Sequence, residues 1–286
     1  MSIDRARQEI QRQKELPTLS PNVQHILDVC EDPEVSRNEV ARVLAESPTI
    51  AARLLGLANS AFFGQQGGIH SLPQAITVLG LVTVRSVAVG LVLAGVFETR
   101  RCPGFHADRF WTSAVMTALM ANQINAKVQN GMRPPADSVY IAGLLHNLGL
   151  LALVHLHPDK VNEAFAAYAA DPGRRLGDHI KERLEFNHYQ AGVWLGSKWH
   201  LPGDILLVME YHYDAGYRGE HWPLVLLEGL CARWANGIID GQEHPAPDVE
   251  ALAALGLPAE AVERLWQQMR EKLAGVQDMA RMFVPE

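Results

Sequence analysis

Ser138 to Pro158 reads SVYIAGLLHNLGLLALVHLHP, 21 residues with no Asp, Glu, Lys or Arg between Asp137 and Asp159. Its length matches the roughly 20 apolar residues that cross a bilayer. His146, Asn147, His155 and His157 sit inside it, and each would need a hydrogen-bonding partner in hydrocarbon. A helix buried in a protein core is the better reading. Ser86 to Phe97 is also free of those charges, but at 12 residues it is too short to span. No membrane partner is expected.

Helix signals extend outward on both sides of that stretch. Ser20-Pro21 is an N-cap with proline at the first helical position, and Val23, Ile26, Leu27 and Cys30 recur on one face. Pro33 stops this helix. Ser36 with Glu39 reads as a capping box ahead of Val40, Val43 and Leu44. Ser47-Pro48 repeats the Ser-Pro start before Ile50, Leu54, Leu57 and Ala58. AFFGQQGG (61–68) breaks regularity, since adjacent glycines lose the most backbone entropy in a helix. Ser71, with Pro73 close behind, restarts a helix through Ala75, Ile76, Val78 and Leu79.

Phe110, Trp111, Ala114, Val115, Ala118 and Leu119 form the next stripe, extended by Ile124. Val87 to Leu93 could be a buried strand by composition, but its neighbours favour helix. No Asn-Gly or Asp-Gly lies between alternating apolar runs, so hairpins lack support. Leu255-Gly256-Leu257-Pro258 is expected to start one terminal helix carrying Val262, Leu265, Trp266, Met269, Leu273 and Val276, docked on the core. The fold class is all-α.

The chain has 286 residues, 48% hydrophobic and 20% charged, which excludes wholesale disorder. Its 25 Lys plus Arg against 32 Asp plus Glu give a net charge of −7 and argue against nonspecific nucleic-acid binding. Cys30, Cys102 and Cys231 form no CxxC pair, so reduced thiols and a cytoplasmic setting are expected. The charged start, MSIDRARQEIQRQKELP, lacks the apolar core of a signal peptide.

The 12 histidines invite a metal hypothesis. His146, His188 and His212 are the candidates, yet a divalent site usually includes a carboxylate or thiolate to offset the ion's charge. Glu210 is two positions before His212, which points it away on a helix. No HExxH, P-loop, GxSxG or GxGxxG stands in a usable context. No cofactor is expected.

LPTLSPNVQHILDVCEDPEVSRNEVARVLAESPTIAARLLGLANSAFFG (16–64) and SLPQAITVLGL (71–81) resemble the N-terminal half of the HDOD family. These HD-related output domains are bacterial signalling modules related to HD-type metal phosphohydrolases. AGLLHNLG (142–149) resembles the helix that carries a His-Asp pair in true HD enzymes, and FNHYQAGVWLGSKWHLPGDILLVMEYHYD (186–214) the segment beyond it. The resemblance implies a connector helix over 1–15 and an HDOD unit over 16–240. That unit would have an N-terminal subdomain to about 100, an HD-like subdomain over 105–240, and a C-terminal helical extension over 241–286.

Carried onto this chain, the HD metal positions fall on Ser113, the His146-Asn147 pair and Arg233. Asn keeps the shape of Asp without its charge, Ser lacks a strong nitrogen donor, and Arg places a cation where the metal would sit. These positions are read as vestigial, with His146, Asn147, His188, His212 and Arg233 lining a candidate pocket for a small anionic ligand. The function expected is a non-catalytic output domain, part of or downstream of a two-component response regulator. It would act through a protein partner, with Phe62 and Phe63 as candidate contacts and the two halves shifting against each other. Self-association stays open. The alternative is a divalent-metal phosphohydrolase acting on a nucleotide or cyclic dinucleotide.

Overall fold

A computed structural model describes residues 19–32, 34–63, 68–129, 131–245 and 248–284. The connector expected over 1–15 and the Gly64–Gly67 part of the aromatic turn lie outside the described residues. Among the described residues there are helices and turns and no strand.

The N-terminal half starts as its Ser-Pro signals require. Helix α1 (Pro21–Glu31), α2 (Arg37–Ala45) and α3 (Pro48–Ala58) follow one another, and a 3-10 turn covers Ala61–Phe63. Ser36 Oγ accepts from the Glu39 amide at 3.2 Å, and Ser71 Oγ from that of Gln74 at 3.4 Å, so both serines satisfy an orphan donor. Helix α4 (Leu72–Leu79) and α5 (Leu81–Ala94) meet at a 113° bend. Gly80 makes that corner with φ +83°, a conformation that costs other residues a Cβ clash. Val87 to Leu93 is helical and buried within α5, so the strand alternative falls away.

The second half is built on α6 (Ala107–Asn125), which packs against α7 (Ala136–Leu145) and α13 (Trp222–Ile239). Helices α8 (Leu148–Leu156), α9 (Pro158–Ala170), α10 (Leu176–Leu184), α11 (His188–Lys198) and α12 (Gly203–Tyr211) complete it. Helix α5 packs on α7 and joins the halves. Three of the largest fully buried side chains are Trp111, Trp234 and Trp266, and Trp111 stacks on Phe283 with centroids 4.9 Å apart.

The opening stretch is buried, as its polar residues demand, but it is not one helix. Ala136–Leu156 is long and apolar enough to cross a membrane, and 78% of its most apolar window lies inside the bundle. It breaks at His146-Asn147, where α7 ends and α8 begins. No proline marks the break. Gly149 instead faces the backbone of α11 so closely that a Cβ there would lie 1.9 Å from the His188 carbonyl oxygen.

The terminal stripe also divides. An extra helix, α14 (Val249–Leu255), precedes Gly256, which ends it at φ +60°. Helix α15 (Ala259–Glu271) then starts after Pro258, and α16 (Leu273–Arg281) follows a break at Lys272. The docking expectation holds: Val262, Leu265, Trp266, Met269 and Val276 are buried, and both helices pack on α6.

Candidate functional site

The break at His146 aims its ring into a cavity of about 840 Å³. The first turns of α6, α10 and α11 line it, with α9, the end of α12 and the middle of α13. Ser113, His146, Asn147, His188, His212 and Arg233, scattered over 121 positions, all reach it. Phe62 and Phe63 do not.

His146 is 3% exposed. Its Nδ1–H donates to the Gly143 carbonyl at 2.7 Å, so Nε2 carries the lone pair, and the Asn147 amide donates to it at 3.0 Å. Burial lowers the pKa of His146 to about 4, against a smaller opposing pull from the Gly143 carbonyl. His188 is lowered to about 3 by burial and by nearby His146. Burial also holds His212 well below the ordinary value, while the Val208 carbonyl, accepting from its Nδ1–H at 2.9 Å, opposes this. His146 and His212 meet edge to face with centroids 4.9 Å apart. All three imidazoles are therefore neutral near pH 7.

The other two positions that the resemblance points to, Ser113 and Arg233, make internal bonds. Ser113 Oγ donates to Asn236 Oδ1 at 3.2 Å. Arg233 pairs with Asp248, the N-cap of α14, at 2.7 Å. The Arg233 guanidinium is thus compensated: α14, absent from the sequence reading, brings the neutralising carboxylate.

Asn236, Asp248 and the Arg109–Asp240 pair at 2.8 Å also went unread. So did the aromatic lining, Phe105, Phe110, Phe165, Tyr189 and Tyr213 among it. No spacing announces these rings, because three helices and two connecting segments supply them. Glu228 could have been found. It is the one acidic residue in the apolar run WPLVLLEGLCARWAN, and it is fully buried with neither carboxyl oxygen hydrogen-bonded.

Phe62 and Phe63 are half-buried and packed against the core. They meet edge to face at 5.1 Å, the Lys272 ammonium lies 4.6 Å from the Phe62 ring centroid, and Gly275 faces Phe62. The pair thus anchors its turn to α16 and retains partial exposure.

An HD-type metal does not fit this donor set. Ser113, His146, Asn147 and Arg233 provide no anion; the His146 lone pair is engaged by Asn147, and Arg233 carries positive charge. Among the described residues, no three His, Cys, Asp or Glu side chains are grouped to hold an ion.

The architecture is that of an HD-related, all-helical bundle with a histidine-lined cavity. A family model for the HDOD domain matches residues 16–215, and the chain belongs to that family. A structure from Marinobacter aquaeolei VT8, named for signal transduction, superposes with a TM-score of 0.84 at 25% identity, covering 99% of this chain and 65% of that one. An HDOD domain protein of unknown function from Geobacter sulfurreducens gives 0.74 at 20% identity, covering 97% and 96%. An uncharacterized protein of Treponema pallidum (strain Nichols) is 24% identical over 234 residues, 80% of this chain and 43% of that relative. The chain thus spans under half of the Treponema relative and just under two thirds of the Marinobacter protein.

Proposed function

We propose that this chain is a non-catalytic signalling domain that passes a state to a protein partner, within or downstream of a two-component response regulator. The observation that carries the reading is the donor set at the HD metal positions. The His146 lone pair is bonded to Asn147, Ser113 to Asn236, and Arg233 is paired with Asp248. A divalent cation would have to break these bonds, and none of the four positions would give it a carboxylate in return.

Membership of the HDOD family and the likeness to a protein named for signal transduction support a signalling role. Three buried free cysteines support a cytoplasmic setting. The partly exposed Phe62–Phe63 turn remains the contact surface of choice, and Phe63 is the better probe of it because Phe62 is engaged by Lys272 and Gly275.

Two measurements on the full chain test this reading. Protein purified from manganese- and iron-supplemented cells should hold far less than one equivalent of metal and release no phosphate from p-nitrophenyl phosphate. Capture from host lysate should recover a response-regulator component and weaken with Phe63→Ala. Stoichiometric metal that disappears in His146→Ala, together with hydrolysis, would establish the phosphohydrolase instead.

A further inference from the structure

The cavity offers chemistry that contact with a protein partner leaves unused. At its inner end three donors are committed. His146 Nδ1–H goes to Gly143, the Asn147 amide to His146, and His212 Nδ1–H to Val208. Acceptor capacity remains there: the lone pair on His212 Nε2 and the Asn147 Oδ1, which has no partner. His188 adds an unpartnered Nδ1 on a side chain only 4% exposed. Burial keeps the imidazoles neutral, so each ring retains one lone pair, and this end has acceptors to spare. A guest that complements it brings N–H groups.

Between this end and the mouth runs a column of aromatic contacts. Tyr189 packs on His188 at 4.0 Å and edge-on to His212 at 5.3 Å, and Tyr213 stacks on Tyr189 at 4.1 Å with planes 21° apart. Phe105, Phe110 and Phe165 cluster elsewhere on the wall, with centroids 5.5 and 6.3 Å from Phe105. Aromatic faces on this scale suit a flat ring.

The mouth carries the charge. Three guanidiniums and one carboxylate line the cavity. Arg109 is paired with Asp240, and Arg233 with Asp248. Arg175 has no ion pair among the described residues, and its guanidinium lies 5.1 Å from the Tyr213 ring centroid, on the outer end of the column. A planar guanidinium held this way is ready for bidentate contact with a carboxylate or phosphate.

We propose that the cavity binds a small planar ring with an amino or ring N–H donor at its inner edge and one anionic group at its outer end, held by Arg175. This goes beyond signalling by contact, because it gives the domain a small-molecule input of its own. The anion could be the phosphate of a nucleotide or the carboxylate of an aromatic acid, and the two sources can be separated.

Calorimetry on the full chain tests it with AMP and 4-aminobenzoate, each carrying ring, amino group and anion. Adenosine lacks the anion, and ribose 5-phosphate lacks the ring. At least one of the first pair should bind, with both controls about tenfold weaker or worse. Binding of AMP alone assigns the phosphate source, binding of 4-aminobenzoate alone the carboxylate source, and both outcomes support the site. Arg175 is exposed, so Arg175→Gln should melt with the wild type yet lose about tenfold in affinity. The proposal is overturned if neither probe binds at millimolar concentration, if ribose 5-phosphate binds as well as AMP, or if Arg175→Gln retains full affinity.

Discussion

Asn147 donates its side-chain amide to Nε2 of His146 at 3.0 Å, and with that bond the one ring nitrogen that a metal could use is closed. The same contact fixes the tautomer, because Nδ1 must keep its proton for Gly143. An aspartate of the same shape would reverse the preference. Its carboxylate would accept from Nε2–H and favour the imidazolium.

Asn147→Asp is therefore expected to raise the His146 pKa from about 4 by about 1–3 pH units. Titrating the imidazole resonances by NMR in wild type and variant reads this directly. An unchanged midpoint would mean that the residue-147 side chain does not govern His146.

The three neutral histidines also set how the fold responds to acid. A histidine whose pKa is 6.5 unfolded and about 4 folded binds its proton first in the unfolded state. Its stabilising contribution is whole above pH 6.5 and is lost as pH falls toward 4. For His188 the loss continues to about 3. His146 alone accounts for about 3 kcal/mol across that window. Urea midpoints should fall steadily between pH 6.5 and 4.5; a flat profile would contradict neutral burial.

Glu228 acts with the opposite sign. Burial pushes its carboxyl well above the ordinary value, so the folded state holds a proton that the unfolded state releases. Stability is lost as pH rises from the unfolded value of 4.5 toward the folded one. Neither carboxyl oxygen has a hydrogen-bond partner. Glu228→Met, similar in volume and without the unpaired group, is expected to stabilise the protein by about 1–3 kcal/mol at pH 7.5. Thermal or urea unfolding checks it, and a destabilised variant would reveal an unrecognised partner for the acid.

Helix periodicity made most of this architecture legible, and the reasons for the exceptions are local. Ser36, Ser71 and Gly80 act through their own backbone neighbourhood, so their helix starts and corner can be read from short windows. The break at His146-Asn147 lies beside a close contact between Gly149 and α11, whose sequence begins 39 positions after Gly149. Lys272 likewise interrupts a continuous apolar stripe with neither proline nor glycine, φ −94° and ψ 4°. At the site, a histidine beside an asparagine in an apolar run was visible. Asp248 was not, because its pairing with Arg233 exists only once α14 folds back on α13.

Gly149 is where that long-range dependence can be tested. A Cβ at this position would lie 1.9 Å from the His188 carbonyl oxygen and 2.4 Å from the Gly192 amide nitrogen. These are backbone atoms of α11, so no side-chain rotation relieves the overlap, and α8 and α11 must separate. Gly149→Ala is expected to cost about 3 kcal/mol in urea unfolding, the upper part of the range for overpacked cores. Because α11 carries His188 and Tyr189 into the cavity, the same variant should disturb the His146 and His212 resonances. Gly173→Ala is the control. There a Cβ would come no closer than 3.5 Å to the Asp171 side chain, and both stability and spectra should be retained. If Gly149→Ala is equally silent, the close approach of α8 and α11 does not direct the break at His146.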